Sequence, residues 1–248
     1  MKRRDFAITS VAAASLAGLP LAALAQKRKD AVVMGMTLEP PGLDPTAGAA
    51  SAIAEIVLYN IFETLTKINA DGTVSPLLAE SWEISPDLKT YTFKLRKGVK
   101  FQNGEPFNAN TVKFSFERAA AEKSTNKDKR TFASMERVGV VDEHTVVVIN
   151  KELNPDFLFL MGQATAIMVD PKSVDTNATK PVGTGPYKLE SWNKGASVTL
   201  AKWPEYRNAA AIKMNKATFR FIGDPAAQVA ALLSGDLDVF VRVGAARS

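Results

Sequence analysis

Residues 76–98 read Pro76-Leu77-Leu78-Ala79-Glu80-Ser81-Trp82-Glu83-Ile84-Ser85-Pro86-Asp87-Leu88-Lys89-Thr90-Tyr91-Thr92-Phe93-Lys94-Leu95-Arg96-Lys97-Gly98. Tyr91, Phe93 and Leu95 alternate with Thr92, Lys94 and Arg96. Successive strand side chains point to opposite faces, so this alternation predicts a half-buried strand. Pro86-Asp87 and Lys97-Gly98 punctuate it, and Trp82-Glu83-Ile84 is an antiparallel partner across the Ser85–Lys89 turn. Asn103-Gly104 is a further tight turn. Asn108 then caps a predicted helix over Ala109 to Ala121 that buries Val112, Phe116 and Ala120.

Upstream, Ala31 to Leu38 predicts a buried strand, with Val32, Val33, Met34 and Met36 apolar and no helical spacing. Glu39-Pro40-Pro41-Gly42 ends it, because neither proline donates to a ladder. Ser51 to Leu65 has helical spacing (Ile53, Ile56, Val57, Asn60, Ile61, Leu65), with Ser51 as its N-cap. Asp71-Gly72 marks a hairpin.

Downstream, Lys123 to Arg130 is polar and predicts a loop. Val138 to Val141 and Thr145 to Ile149 predict strands, Asn154-Pro155-Asp156 opens a short helix, and Ala166 to Val169 predicts a strand. Strands follow at Lys188 to Trp192, Ser197 to Ala201 and Phe219 to Ile222. The last helix has Asp224 as N-cap, Pro225 in its first position, Val229, Leu232 and Leu233 as apolar face and Gly235 as its stop. Asp238 to Val241 begins another strand.

The chain has 248 residues, 46% hydrophobic and 23% charged, with 15 Gly, 13 Pro and no Cys. That is a globular composition and excludes collagen-like or wholly disordered chains. Without cysteine there is no disulfide scaffold and no thiolate chemistry. A single histidine, His144, rules out a histidine-cluster metal site within one chain. The net charge of +5 includes +2 from the first 26 residues, and the remaining +3 is spread along the chain. Nucleic-acid binding needs a basic patch, so no nucleic-acid partner is expected.

The first 26 residues have the order of an export signal. Basic Lys2-Arg3-Arg4 precedes an uncharged run, and Ala23-Leu24-Ala25 supplies small residues at 23 and 25, placing cleavage before Gln26. Arg3 and Arg4 ahead of Phe6 are of twin-arginine type, and an ordinary secretory signal is the alternative. The apolar run is short and broken by Pro20, a poor membrane span. The signal segment 1–26 is expected to be cleaved near Ala25-Gln26 and the remainder to be periplasmic.

Candidate chemistry is sparse. Gly183-Thr184-Gly185 lacks the glycine spacing and the following lysine of a phosphate loop, and Pro186 removes a donor. A tight turn placing Tyr187 under a sheet accounts for it. His144 lies in a charged turn with no Gly-x-Ser-x-Gly nucleophile motif, so it is expected as a loop histidine. Asp236 and Asp238 are close in sequence, but Gly235 makes Asp236 a turn residue. Trp82, Trp192 and Trp203 are expected in packing. No catalytic residue, metal or cofactor is expected.

Several segments coincide with one family. Pro76 to Asp87, Thr90 to Phe101 and Asn103-Gly104-Glu105-Pro106-Phe107-Asn108-Ala109 resemble the signature region of family 5 extracellular solute-binding proteins, the dipeptide, oligopeptide, nickel and opine binders of ABC importers. Pro181-Val182-Gly183-Thr184-Gly185-Pro186-Tyr187, Trp203-Pro204-Glu205-Tyr206-Arg207-Asn208 and Ala231 to Val239 match later family motifs. The resemblance spans residues 31–240.

It implies a mixed α/β cleft fold of the type II periplasmic-binding-protein kind, with ligand held between two lobes. Residues 27–50 and 181–240 would form a discontinuous, incomplete first lobe, and 51–180 an inserted small α+β domain. Residues 241–248 depart from the pattern, and the second lobe is absent, so the chain is expected to be the N-terminal half of such a protein.

The expected function is capture of a peptide or other small polar solute and its delivery to an ABC permease and ATPase. The protein is expected to act as a monomer and not as an enzyme. The alternatives are an exported enzyme of lobed shape and a vestigial fragment that binds nothing. In peptide-binding relatives the loop at Glu39, Pro40 and Pro41 lines the cleft. Glu39 is then either a partner for a ligand ammonium or a solvated carboxylate. The two prolines weaken strand-like capture of a peptide backbone there.

Overall fold

The computed structural model describes residues 30–240. The expected signal residues Arg3, Arg4, Ala23 and Ala25 and the tail 241–248 lie outside the described residues. In chain order the elements are β1 (Ala31–Met36), α1 (Ser51–Val57), β2 (Thr66–Ile68), β3 (Val74–Pro76), β4 (Ala79–Ile84) and β5 (Thr90–Leu95). Then come α2 (Ala109–Ala120), α3 (Lys129–Ala133), β6 (Met135–Asp142), β7 (Thr145–Asn150) and α4 (Phe157–Leu160). The chain closes with β8 (Tyr187–Asn193), β9 (Ser197–Lys202), β10 (Lys216–Phe221), α5 (Pro225–Ser234) and β11 (Val239–Phe240).

Two sheets organise this mixed α/β fold. The first has the order β11-β1-β10-β9-β8. In it β1 runs parallel to β10 and β11, while β10-β9-β8 is an antiparallel meander. The second is antiparallel throughout, with the order β4-β5-β7-β6. The alternation at residues 90–95 is realised as expected: Tyr91, Phe93 and Leu95 are buried, and Trp82 of β4 lies opposite Phe93. Asn108 caps α2, its side chain accepting from the amides of Asn110 and Thr111 while Thr111 accepts from the Asn108 amide. Gly72 and Gly104 take positive φ at the two expected turns.

Each sheet has its own core. One gathers Tyr91, Phe93, Phe101, Phe116, Val146, Val148 and Phe157. The other gathers Met36, Ile53, Ile56, Phe62, Ile167, Val198 and Phe219. Helix α1 and Ile61-Phe62 therefore pack on the first sheet, together with Ile167 and Val169.

Four local expectations are corrected. The helix from Ser51 stops at Val57, and Ala50 occupies its N-cap with no side-chain bond, so Ser51 does not cap it. Leu58 is extended and Tyr59 has φ 60°. The reason is non-local: the carbonyls of Asn60 and Ile61 accept the amides of Tyr187 and Gly185 at 2.9 Å, bonds that a continuing helix would preclude. Ala166 to Val169 forms no strand. Its amides go to separate partners, Met168 to the Glu63 carbonyl and Val169 to Ser115 Oγ.

Lys123 to Arg130 is not simply loop. Asn126 is buried and bonded to the Thr165 carbonyl, and α3 begins at Lys129. Finally, α5 has its expected Asp224 cap and left-handed Gly235 stop, but none of Val229, Leu232 and Leu233 on its apolar face is buried by the described residues. Its one buried residue is Gln228, while Leu233 is 85% exposed.

Candidate functional site

The loop after β1 leaves the sheet where β1, β10 and β11 all end in the same direction. In open α/β sheets ligands bind outside the carboxyl ends of such parallel strands. The loop is tied at both ends. The Ile222 amide donates to the Met36 carbonyl at 2.8 Å, and the Leu43 amide to the Ala178 carbonyl at 2.9 Å. Pro40 is buried, while Pro41 is exposed and Leu38 is 68% exposed. Glu39 accepts from Trp192 Nε1 at 2.8 Å and from the Gly195 amide at 3.0 Å. Lys194 Nζ stands 3.0 Å above the centre of the Trp192 ring.

The turn following α1 and the glycine-rich motif meet in a polar seam. Glu63 is 2% exposed. Its carboxylate takes a two-pronged ion pair from Arg207 at 2.6 and 2.7 Å, with Tyr206 Oη at 3.0 Å and Thr184 Oγ1 at 2.9 Å. Burial, reinforced by the Glu63 charge, pushes the Tyr206 phenol up to about 12.

The chain bends at Thr184 to Pro186, and its glycines are there for close approach. Neither Gly183 nor Gly185 is among the positive-φ residues. A Cβ on Gly183 would sit 1.9 Å from the Ile61 carbonyl oxygen, and one on Gly185 2.4 Å from that of Asn60. Gln102 continues the seam from the second sheet's side. Its amide donates to the Gly183 carbonyl at 2.9 Å, and its Nε2 to the carbonyls of Gly185 and Tyr187 at 3.1 and 2.7 Å.

Sequence reasoning missed Glu63, Gln102 and the roles of Tyr206 and Arg207. The available signal was a carboxylate inside the apolar run Ile61 to Leu65, a place where an acid is stable only when paired.

Other singled-out residues are not brought together. His144 sits in the β6–β7 turn, its amide donating to Asp142 Oδ1 at 2.8 Å. Asp236 is exposed, whereas Asp238 Oδ2 accepts the Val33 amide at 2.7 Å and anchors β11 beside β1. Trp82 packs on Phe93, and Trp203 is 5% exposed with Lys188 Nζ 5.2 Å from its ring centre. Among the described residues no group of three His, Cys, Asp or Glu side chains is placed to hold a metal ion. No helix among them is long and apolar enough to cross a membrane.

Comparison with known proteins fits this geometry. The chain is 32% identical over 228 residues to the glutathione-binding protein GsiB of Salmonella choleraesuis, a match covering 90% of this chain and 43% of that protein. The structure of MoaA from A. tumefaciens, in complex with mannopinic acid, matches with a TM-score of 0.77 at 32% identity, over 86% of this chain and 45% of that one. Haemophilus influenzae OppA, in complex with a peptide, matches with a TM-score of 0.79 at 28% identity, over 85% and 45%. The chain thus spans less than half the length of these relatives, and its fold is that of their type II periplasmic-binding-protein architecture. The family model for the middle region of bacterial extracellular solute-binding proteins, family 5, matches residues 73–248. With most of its length matched in this way, the chain belongs to family 5 of the bacterial extracellular solute-binding proteins.

Proposed function

We propose that this chain is part of a periplasmic solute-binding protein that captures a small polar solute and hands it to the permease and ATPase of an ABC importer. The observation that carries the proposal is the loop at residues 37–43. It stands at the carboxyl ends of three parallel strands, in a chain similar to a protein named for binding glutathione and to proteins whose structures hold mannopinic acid or a peptide. Glu39, Pro40 and Pro41 belong to the ligand side of this loop. Strand-like addition of a peptide is disfavoured there, since β1 is flanked by β10 and β11 and the two prolines lack donors. That favours a compact solute over an extended peptide.

The same proposal includes export through residues 1–26, with Arg3 and Arg4 as the recognition pair and cleavage after Ala25. It includes binding without turnover and action as a monomer. It also includes the division of the chain into a first lobe of 27–50 and 181–240 and an inserted unit at 51–180, and the packing of α1 on the first sheet favours assigning that helix to the first lobe.

The test is a thermal-shift panel of glutathione, opines, short peptides, sugars and amines on purified residues 26–248. A solute-dependent rise in melting temperature supports binding. No rise with any member favours a fragment that binds nothing, and turnover of a member without partner proteins favours an enzyme. Fractionation of cells carrying Arg3→Lys with Arg4→Lys tests the export route. Retention of the precursor in the cytoplasm supports the twin-arginine signal, and unchanged export points to an ordinary one.

A further inference from the structure

We propose that Glu39 is a positioning residue of the cleft loop, and that its carboxylate is not the counter-ion of a cationic solute group. The proposal rests on the assignment of residues 39–41 to the ligand side. Both carboxylate oxygens accept from donors of the protein itself: Oε1 accepts the Trp192 indole N–H at 2.8 Å and Oε2 accepts the Gly195 amide at 3.0 Å.

Sheet register explains why these donors are within reach. Ser197 at the start of β9 lies opposite Arg220 near the end of β10, and the Phe221 amide donates to the Ala196 carbonyl at 2.9 Å. The β8–β9 turn therefore stands on the same edge of the sheet as the loop after β1. One carboxylate bridges the two, across 153 residues of sequence to Trp192 and 156 to Gly195. Lys194, at the tip of that turn, is engaged with the face of the Trp192 ring.

Turning the carboxylate outward to meet an ammonium would strip the indole N–H and the Gly195 amide of their acceptor. A donor left without its partner is unfavourable, more so where it is part-buried like the indole. The loop instead presents Leu38 and Pro41 outward, an uncharged lip. Charge on the solute is then met elsewhere, and Glu39 acts through the turn it holds.

The experiment compares wild type, Glu39→Gln and Glu39→Ala. Hydrogen exchange of peptides spanning residues 190–197 reads the bridge with no solute present. Glu39→Ala is expected to speed exchange at Gly195 about tenfold, as loss of a typical hydrogen bond does. Glu39→Gln keeps one acceptor and is expected to fall between. Exchange in residues 90–95 and 145–150 of the second sheet should not change. Unchanged exchange at 190–197 in Glu39→Ala overturns the proposal.

The second arm uses trilysine as a cationic probe and glutathione and mannopinic acid as anionic ones. For probes that stabilise wild type, each variant should lose its own constant fraction of the thermal shift, the same for every probe whatever the probe's charge. Loss confined to trilysine overturns the proposal. If no probe shifts the wild type, it is the solute-binding proposal that fails, and the exchange comparison alone decides the bridge.

Discussion

At the seam between the two sheets a carboxylate, Glu63, is 2% exposed; on α5 a leucine, Leu233, is 85% exposed. The two regions invert the usual placement of polar and apolar groups, and they do so for different reasons. Glu63 is stable in the interior because four hydrogen bonds from Arg207, Tyr206 and Thr184 replace its water. Leu233 is exposed because, among the described residues, the one side chain that α5 buries is Gln228, whose Nε2 donates to the Ile222 carbonyl at 2.6 Å. The seam is specified by mutual satisfaction of polar groups. Among the described residues, the α5 helix is specified by its caps and by the Gln228 anchor. Substitutions should therefore be costly at the seam and nearly silent on α5.

The largest effect is expected from Arg207→Ala, which leaves Glu63 buried without its ion partner. Removing one member of a buried pair destabilises by about 3–5 kcal/mol. A urea midpoint shift worth under about 1 kcal/mol would break the comparison, since exposed pairs give that little.

Gly183→Ala should follow. Its Cβ would meet the Ile61 carbonyl oxygen at 1.9 Å, and backbone is the part of the structure least able to yield. Overpacking of this kind destabilises by about 1–3 kcal/mol or more. The check is again the urea midpoint, with Gly42→Ala as control, because there the nearest atom would be 3.5 Å away.

Tyr206→Phe removes one of the Glu63 donors and should cost about 1 kcal/mol at neutral pH. It also carries a pH signature. The folded-state phenol titrates at about 12, above its ordinary 10.0, so the folded state holds the proton more tightly. That contribution is fully present below pH 10 and is lost as the pH rises towards 12. Alkaline unfolding curves should show this loss in wild type and lack it in Tyr206→Phe.

The smallest effect is expected from Leu233→Gln, within about 0.5 kcal/mol, because an exposed side chain has little burial to lose. A larger loss of thermal stability would show that Leu233 is covered in solution and would erase the contrast between the two regions.

Much of the molecule follows from local sequence. The period-2 pattern at Tyr91, Phe93 and Leu95, the Asn108 and Asp224 caps and the Gly72, Gly104 and Gly235 turns are each decided within a few residues. Their physics is side-chain direction, a capping hydrogen bond or a positive φ, and none needs the rest of the chain. The order of the motifs along the chain carries the resemblance to the family without reference to any contact. Tertiary structure alone decided the rest. It ended α1 at Val57, because the Asn60 and Ile61 carbonyls serve amides more than a hundred residues away. It made Gly183 and Gly185 close-approach residues, buried Glu63 against Arg207, and turned Glu39 inward to Trp192 and Gly195. In each case the deciding partner is remote in sequence. A buried polar group is stable only with that partner in place, so its role is not encoded in its own neighbourhood.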